Sequence, residues 1–342
     1  MAGKKKKNNG GEQKTKRTRL MILAAVVLAA LIFMIADPEG FQTFAGALLE
    51  QPQETISQTA APSATAAEQT PGPSVTQAAQ PQALDGAMEV YILDVGQGDS
   101  IFLQSPGGKT MLIDASETKY YDAIHAFLKA QGVEKLDVVV ATHPHSDHIG
   151  AMYKVIRNYE IGMFYLPEIT HTTATYEKMI SAIEEKNVET EILWGGENSY
   201  LAWDDGVTVR VLSPLEGEDY DMNNWSIVLH VAYGQTSIML TGDAETLAEE
   251  AMLRRLPTEC FPSTVLKMGH HGSSTSTSEG FWQAMAPELV VISVGEGNDY
   301  GHPHRETLQN LKEWGVPYYR TDECGTIHLT FDGAKVTVKT EK

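Results

Sequence analysis

Four side chains of types that bind metal ions in proteins fall within six residues of the sequence: His143, His145, Asp147 and His148. Pro144 favours an extended conformation for His143. Residues two apart in an extended segment project to the same side, so both imidazoles can reach one cation. Asp147 and His148 are adjacent and point apart, which suits ligands of a second cation. This spacing predicts a metal site; the alternative is a polar surface turn rich in histidine.

The segment before these ligands predicts how they are positioned. Residues 138–141 form a β-branched apolar run, typical of a strand buried on both faces, and the ligands follow its carboxyl end. Later loops also carry ligand types after predicted buried strands: at Asp243, in the pair 270–271 and in the segment 302–304. Ligands gather at the carboxyl ends of strands in open α/β sheets, so we expect one shared site. Two alternatives stay open: Asp243 caps a helix, or the last histidines cap and pack.

The remaining pattern predicts an alternating α/β domain that begins near Met88. Apolar alternation predicts a hairpin of strands with its turn at residues 107–108, and helical spacing follows over residues 120–131. Strands and helices then alternate toward a closing hairpin. Residues 94–100 contain two glycines and are compatible with both a tight turn and a loop that lines the site.

The region from about Met88 to Thr340 resembles the metallo-β-lactamase family, and within it the C-terminal hydrolase domain of the ComEC family of DNA-uptake competence proteins. Six stretches carry this resemblance, in this order: LDVGQGDS, THPHSDHIG, NNWSIVL, LTGDAE, LKMGHHGSSTSTS and ISVGEGNDYGHPH. The HxHxDH pattern alone marks only the superfamily, whereas the full series is far more specific. The resemblance does not cover residues 1–87. The multi-span channel that usually accompanies this domain has no counterpart in the sequence.

The resemblance implies a four-layer α-β-β-α sandwich with a di-metal cleft at its edge. Carried over by position, the ligands would be His143 and His145 for the first cation, Asp147, His148 and a histidine of the HHGS loop for the second, and Asp243 between them. Of the two loop histidines, His270 is favoured over His271 because it is nearer the strand end. This ligand set is compatible with two divalent cations, Zn or Mn.

The sequence departs from the usual superfamily pattern at one position. Most members supply a further histidine to the first metal from the region before the bridging aspartate. The histidines available between positions 148 and 243 are His171 and His230, and His230 lies in an alternating strand, where a surface position is expected. The family match puts Asn224 and Ser226 in this region instead. The first metal site could therefore have an open position, hold its metal weakly or hold none.

Two neighbouring cations can stabilise the attacking and leaving oxygens of a phosphodiester, so we expect hydrolysis at phosphorus by a phosphodiesterase or nuclease. Asp147 or Asp243 would orient the nucleophile. Seven side chains are candidates for contacting the substrate: Asn224, Ser226, Lys267, His271, Ser273, His302 and His304. The resemblance favours DNA as the substrate. The alternatives are a small envelope phosphodiester or a lactone, and a domain that has lost catalysis and acts as a surface binding module.

The distribution of charge bears on possible partners. The chain has a formal charge of −19, yet residues 1–19 hold eight of its 26 basic residues and only one of its 45 acidic ones. The rest of the chain therefore carries a formal charge of −26. Such an acidic body lacks the general basic surface of nucleic-acid-binding proteins, so any DNA contact must be local. The sequence indicates no protein partner.

Three further segments are predicted before the domain of residues 88–342. Residues 1–19 form a basic cytoplasmic tail. Residues 20–36 are apolar and uncharged, and as a helix of roughly 25 Å they would cross the membrane as a signal anchor, with the basic flank inside. Residues 37–87 are rich in Pro, Gln, Ala, Thr and Ser and predict a disordered linker. The domain would lie outside the cell membrane, or be secreted after cleavage near residues 45–47.

The two cysteines, Cys260 and Cys324, lack the spacing of a metal-binding pair. Both a disulfide between them and two unpaired thiols are compatible with the sequence.

Overall fold

The computed structural model describes residues 86–342. In chain order its strands are β1 (Met88–Ile92), β2 (Ile101–Gln104), β3 (Thr110–Ile113), β4 (Lys135–Val140), β5 (Glu160–Leu166), β6 (Thr190–Ile192), β7 (Tyr200–Leu201), β8 (Val207–Ser213), β9 (Val228–Tyr233), β10 (Thr236–Leu240), β11 (Val265–Lys267), β12 (Leu289–Ile292), β13 (Tyr318–Arg320), β14 (Ile327–Phe331) and β15 (Val336–Thr340). They form two mixed sheets, of eight strands ordered β15-β14-β1-β2-β3-β4-β5-β6 and of seven ordered β13-β12-β11-β10-β9-β8-β7.

The helices connect these strands. In the same part of the chain they are α1 (Tyr121–Ala130), α2 (Ser146–Ile149), α3 (Met152–Asn158), α4 (Ala174–Lys186), α5 (Thr246–Arg255), α6 (Glu279–Met285), α7 (Arg305–Trp314) and the single turn α8 (Thr321–Cys324). The apolar stripe of each longer helix has to be covered, so the helices pack on the outer faces of the sheets.

Three apolar cores define the layers. Val138 and Val140 of β4 point between the sheets and share a core with Val211 and Leu240 of the second sheet. Val139 points the other way, into a core with α1, α3 and α4. A third core joins the outer face of the second sheet to α5, α6 and α7. The order of layers is therefore helix, sheet, sheet, helix, and the predicted α/β sandwich is confirmed.

The parallel part of each sheet positions the candidate ligands. β3, β4 and β5 are parallel neighbours in the first sheet, and β10, β11 and β12 are parallel neighbours in the second. The HPHSDH segment follows β4, Asp243 follows β10, and the HHGS loop follows β11. The carboxyl ends of these strands meet at one edge of the sandwich, as expected for open α/β sheets.

Some predictions fall outside this region. The basic tail, the apolar segment of residues 20–36 and nearly all of the linker lie beyond the described residues. Within residues 86–342, no helix combines the length and the apolar character that a membrane span requires. Cys260 and Cys324 are both free thiols, the first buried and the second partly so.

Candidate metal centre

The loop after β4 brings its side chains together. Extended backbone at His145 (φ −71°, ψ 150°) leads into the short helix α2, which carries Asp147 and His148. Nε2 of His143 lies 3.0 Å from Nδ1 of His145, so the two imidazoles face the same point. This is the arrangement that extended residues two apart were expected to produce.

Four side chains form a cluster whose ligand atoms all lie within 4.8 Å of one another: Asp147, His148, Asp243 and His271. Oδ2 of Asp243 lies 3.2 Å from Nε2 of His148, and its Oδ1 lies 3.4 Å from Nε2 of His271. Oδ2 of Asp147 lies 3.6 Å from the same nitrogen of His271. Two imidazole nitrogens and two carboxylates around one centre are a ligand set suited to a divalent transition metal.

Hydrogen bonds on the far side of each imidazole indicate which nitrogen faces the cluster. Nδ1 of His148 donates to Oδ2 of Asp114 at 2.7 Å, and Nδ1 of His271 donates to the carbonyl oxygen of Ser293 at 2.9 Å. A neutral ring with its proton on Nδ1 has a lone pair on Nε2, and these two Nε2 atoms lie 3.3 Å apart. Oδ1 of Asp243 is buried beside them without a hydrogen-bond partner among the described residues. These atoms repel one another unless a positive charge lies between them, so the residues fit a metal ion.

A second set of potential ligands lies beside the cluster. Thr142 donates its hydroxyl proton to Oδ2 of Asp114 at 2.7 Å, so it accepts a hydrogen bond from Nδ1 of His143 at 3.2 Å. His143 therefore also presents an unprotonated Nε2, 3.8 Å from Oδ2 of Asp243. His143, His145 and this carboxylate oxygen make up the set available to a first cation.

Without metal ions, the carboxylates attract protons to two of the histidines. Burial alone would lower the pKa of His271, but Asp243 and Asp99 outweigh it and raise that pKa to about 9. Burial also opposes charge on His148, yet Asp243 and Asp114 hold its pKa well above the ordinary value. Protons and metal ions thus compete for the same nitrogens.

A family model supports this interpretation of the site. The model of the Metallo-beta-lactamase superfamily matches residues 93–295, which include the whole cluster. The chain belongs to the metallo-β-lactamase superfamily. The crystal structure of the metallo-β-lactamase fold protein YhfI from Bacillus subtilis is similar at 11% identity and a TM-score of 0.48, over 71% of this chain and 99% of that one.

The metallo-β-lactamase domain is also related to larger competence proteins. It is 32% identical over 260 residues to ComE operon protein 3 of Bacillus subtilis, a match that covers 71% of this chain and 33% of that protein. It is 31% identical over 242 residues to Competence protein ComA of Neisseria gonorrhoeae, covering 70% of this chain and 32% of that protein. The chain thus spans about a third of the length of these relatives, and the ComEC-like resemblance is confirmed.

In the HHGS loop of this metallo-β-lactamase domain, the structure corrects the preference for His270. Both loop histidines have left-handed backbone, with φ of 46° at His270 and 53° at His271. Both imidazoles reach the neighbourhood of Asp243, but His271 is the one whose ligand atom lies within 4.8 Å of those of Asp147, His148 and Asp243. Nδ1 of His270 instead donates to Oε1 of Glu245 at 3.0 Å, and its Nε2 stays 3.6 Å from Oδ2 of Asp243. His270 lines the cavity beside the four-residue cluster.

The structure places two of the predicted substrate contacts, Lys267 and Asn224, in buried positions that do not line the cavity. Lys267 is fully buried, and its Nζ lies 2.5 Å from Oδ2 of Asp99. Oδ1 of Asn224 accepts hydrogen bonds from the backbone nitrogens of Glu245 and Ala248, at 3.1 and 2.9 Å. Lys267 therefore neutralises a buried carboxylate, and Asn224 satisfies free N–H groups at the start of α5.

The two serines are also buried rather than available to a substrate. Oγ of Ser226 accepts a hydrogen bond from the backbone nitrogen of Asp243 at 3.0 Å and lies 3.3 Å from Nδ1 of His143. Oγ of Ser273 lies 2.9 Å from Oγ1 of Thr275, within its own loop. Ser226 therefore positions two potential ligands, and Ser273 organises the loop; neither of these predicted substrate contacts lines the cavity.

The remaining predicted substrate residues line a cavity of about 540 Å³ over the cluster. His302 and His304 line it side by side, with ring centroids 4.7 Å apart. Nδ1 of His304 accepts a hydrogen bond from the backbone nitrogen of Ser274 at 2.9 Å, so the neutral ring carries its proton on Nε2. Burial, with His270 nearby, lowers the pKa of His302 to about 4, which keeps that ring neutral.

The two histidines considered as a third ligand of the first cation make other contacts. His230 lies in β9, and its Nε2 donates to the carbonyl oxygen of Pro262 at 3.0 Å. Nδ1 of His171 lies 2.9 Å from Oγ1 of Thr173. Neither belongs to the metal-ligand clusters of residues 86–342.

Several residues that matter in this site were not predicted. Asp114 follows β3, the parallel neighbour of β4, so its strand-end position was the signal that would have found it. Asp99 and Gln97 lie in the loop of residues 94–100: the first pairs with Lys267, and the second lines the cavity. That loop is therefore a site-lining loop as well as a turn. Glu245 accepts a hydrogen bond from Nδ1 of His270, and no comparable feature of the sequence indicated this role.

Proposed function

We propose that this protein is a membrane-anchored, extracytoplasmic phosphodiesterase or nuclease that depends on two divalent cations, Zn or Mn. The observation that carries the proposal is the cluster of Asp147, His148, Asp243 and His271, whose facing nitrogens and unpaired carboxylate oxygen need positive charge. Its place in a ComEC-like metallo-β-lactamase domain supports hydrolysis of a phosphodiester.

The side chains of the cavity have separable roles. Cations held by the two ligand sets would offset negative charge on the phosphate oxygens and lower the pKa of water to about 7. Asp243 belongs to both ligand sets and would contribute to holding both cations. Burial opposes ionisation of Asp147, but His148 outweighs it and keeps the pKa of that carboxyl below its usual range. Asp147 thus remains an anion at the cavity, able to accept a hydrogen bond from the attacking water.

Proton donation would come from His304. This residue lines the cavity, and its neutral ring carries a proton on Nε2. His302 is neutral and mostly buried beside it. A donor in the cavity that Asp147 also lines would stabilise a phosphate oxygen or the departing alkoxide.

Two substrates separate the nuclease from a smaller esterase. The purified chain, loaded with Mn or Zn, is assayed on single-stranded DNA and on bis-p-nitrophenyl phosphate, with Asp243→Asn as the inactive control. Hydrolysis of both supports the proposal. Cleavage of the chromogenic ester but never of DNA, at any salt concentration, would exclude DNA and favour a small envelope phosphodiester.

The same preparation tests the binding-module alternative. If the chain retains less than one metal ion and hydrolyses no phosphodiester or lactone, the enzyme proposal is wrong. Metal content is therefore measured by atomic emission on the sample used for the assays.

We propose that residues 20–36 anchor the chain with the domain of residues 88–342 outside the membrane. The apolar run and its basic flank support this orientation. Protease added to intact spheroplasts should digest the domain, whereas protection until the membrane is lysed would contradict the topology. Release of the domain into the medium would instead indicate cleavage after the apolar run.

A further inference from the structure

An exposed aromatic ring lies at the mouth of the metal cavity, in the loop between β12 and α7. Tyr300 is 64% exposed, the most exposed large apolar side chain in the described part of the chain. It lines the metal cavity and also a neighbouring cavity of about 460 Å³. Single exposed tyrosines are common on proteins. What distinguishes Tyr300 is that it lines the metal cavity as well as the neighbouring one and that its backbone is held by Asn298.

Asn298 fixes this loop through both atoms of its amide. Its Nδ2 donates to the carbonyl oxygens of Gly295 and His302, at 2.9 and 2.6 Å. Its Oδ1 accepts from the backbone nitrogens of Tyr300 and His302, at 3.2 and 3.0 Å. The Tyr300 ring also stacks beside the His302 ring, with centroids 5.7 Å apart and an interplanar angle of 22°. The backbone that carries the ring is therefore held in place without a ligand, which lowers the entropy cost of binding.

Charge restricts what can bind beside this ring. The neighbouring cavity is lined by five carboxylates: Asp94, Glu117, Glu296, Asp299 and Asp322. Three of them are in ion pairs, Glu117 with Lys119 at 2.9 Å, Asp94 with Lys342 at 3.4 Å and Asp322 with Arg320 at 2.5 Å, which leaves Glu296 and Asp299 as excess negative charge. A phosphate would be repelled from this side of Tyr300. An uncharged planar group would not be, and it could stack on the exposed ring.

We propose that Tyr300 stacks on the base of the nucleoside attached to the scissile phosphate. This inference rests on the phosphodiesterase function proposed above and names the side chain that would bind the nucleoside part of the substrate. Tyr300 is a specificity-determining residue that contacts the substrate away from the reacting atoms.

Two esters with the same leaving group test the inference on the purified full chain loaded with Mn: thymidine 5′-(p-nitrophenyl phosphate) and methyl p-nitrophenyl phosphate. We expect the thymidine ester to have a kcat/KM roughly tenfold higher, the scale of one base–aromatic stack. Tyr300→Ser should bring the ratio of the two kcat/KM values close to one, and Tyr300→Phe should restore it. Tyr318→Ser, which removes a tyrosine that lines neither cavity, should keep the wild-type ratio.

Binding provides a readout that is independent of turnover. Thymidine 5′-monophosphate should bind more tightly than methyl phosphate in calorimetry, and Tyr300→Ser should abolish the difference. A ratio of kcat/KM and a difference in Kd that both survive Tyr300→Ser would overturn the stacking proposal while leaving the phosphodiesterase intact. Failure to hydrolyse either ester would overturn the phosphodiesterase proposal, and the binding comparison would then decide the role of Tyr300.

Discussion

His270 and His271 are adjacent in sequence and both lie near Asp243, but of the two His271 alone belongs to the four-residue cluster, which makes them a matched pair of variants. His271→Ala removes one of the four ligands of the cluster and should weaken metal binding by roughly a hundredfold or more. His270→Ala removes a side chain that donates to Glu245 and should leave the metal affinity within a few-fold of wild type. Competition with a chromophoric chelator measures both affinities. Equal losses in the two variants would contradict the assignment of His271 as the ligand.

The buried ion pair between Lys267 and Asp99 stabilises the fold around the candidate metal centre. Lys267→Met leaves the Asp99 carboxylate buried without its cation, which should lower the free energy of unfolding by about 3–5 kcal/mol. Urea denaturation measures this loss. The double variant Lys267→Met, Asp99→Asn removes both charges and should recover part of the stability. If the double variant is no more stable than Lys267→Met, the unpaired charge of Asp99 is not the cause of the lost stability.

At the scale of elements, the glycine-rich loop of residues 94–100 packs its backbone against α2. Gly98 has a φ of +117°, and a Cβ there would lie 2.1 Å from the carbonyl oxygen of Asp147. Gly98→Ala should therefore displace α2, destabilise the fold by about 3 kcal/mol and weaken metal binding through Asp147. Gly132→Ala is the control, because its φ is also positive, +70°, but its Cβ would meet open space. The free energy of unfolding and the metal affinity are measured for both variants. Equal losses in the two would show that the contact with α2 is not their cause.

Most elements could be predicted because their patterns are local. The β-branched run before the HPHSDH segment is β4, and helical spacing over residues 120–131 corresponds to α1. The errors have a different origin. Lys267 was assigned to the substrate because its partner, Asp99, is remote in sequence. The turn at His270 and His271 depends on left-handed backbone in non-glycine residues, which tertiary packing imposes and local sequence does not indicate.

For the whole molecule, pH should affect the metal-free and metal-loaded forms differently. The pKa of His271 in the folded metal-free protein is about 9, above the unfolded value of about 6.5, so its proton stabilises the fold fully below pH 6.5. This contribution is lost as the pH rises through 9, and His148 acts in the same direction. The Tm of the metal-free chain should fall by several degrees between pH 6.5 and 9. In the metal-loaded chain these nitrogens carry no such protons, so its Tm should change less over this pH range. Equal changes in Tm for the two forms would contradict this explanation.

Net charge gives a prediction about DNA as the substrate. A formal charge of −19 repels a polyanion, and salt screens that repulsion, with a Debye length of about 10 Å at 0.1 M. The kcat/KM for single-stranded DNA should therefore rise between 10 and 150 mM salt, whereas a basic nuclease loses affinity over this range. Bis-p-nitrophenyl phosphate, with a single charge, is the control and should respond little. A steep fall in DNA cleavage with salt would indicate a local basic contact that outweighs the acidic body.

The placement of the ligands has a mechanical consequence for the sandwich. His143, His145 and His148 follow a strand of one sheet, and Asp243 and His271 follow strands of the other. A bound cation is thus a cross-link between two layers that otherwise adhere through apolar side chains. Chelation should let the layers separate first at this rim, and amide hydrogen exchange would then accelerate in the ends of β4 and β10 together while the opposite rim stays protected.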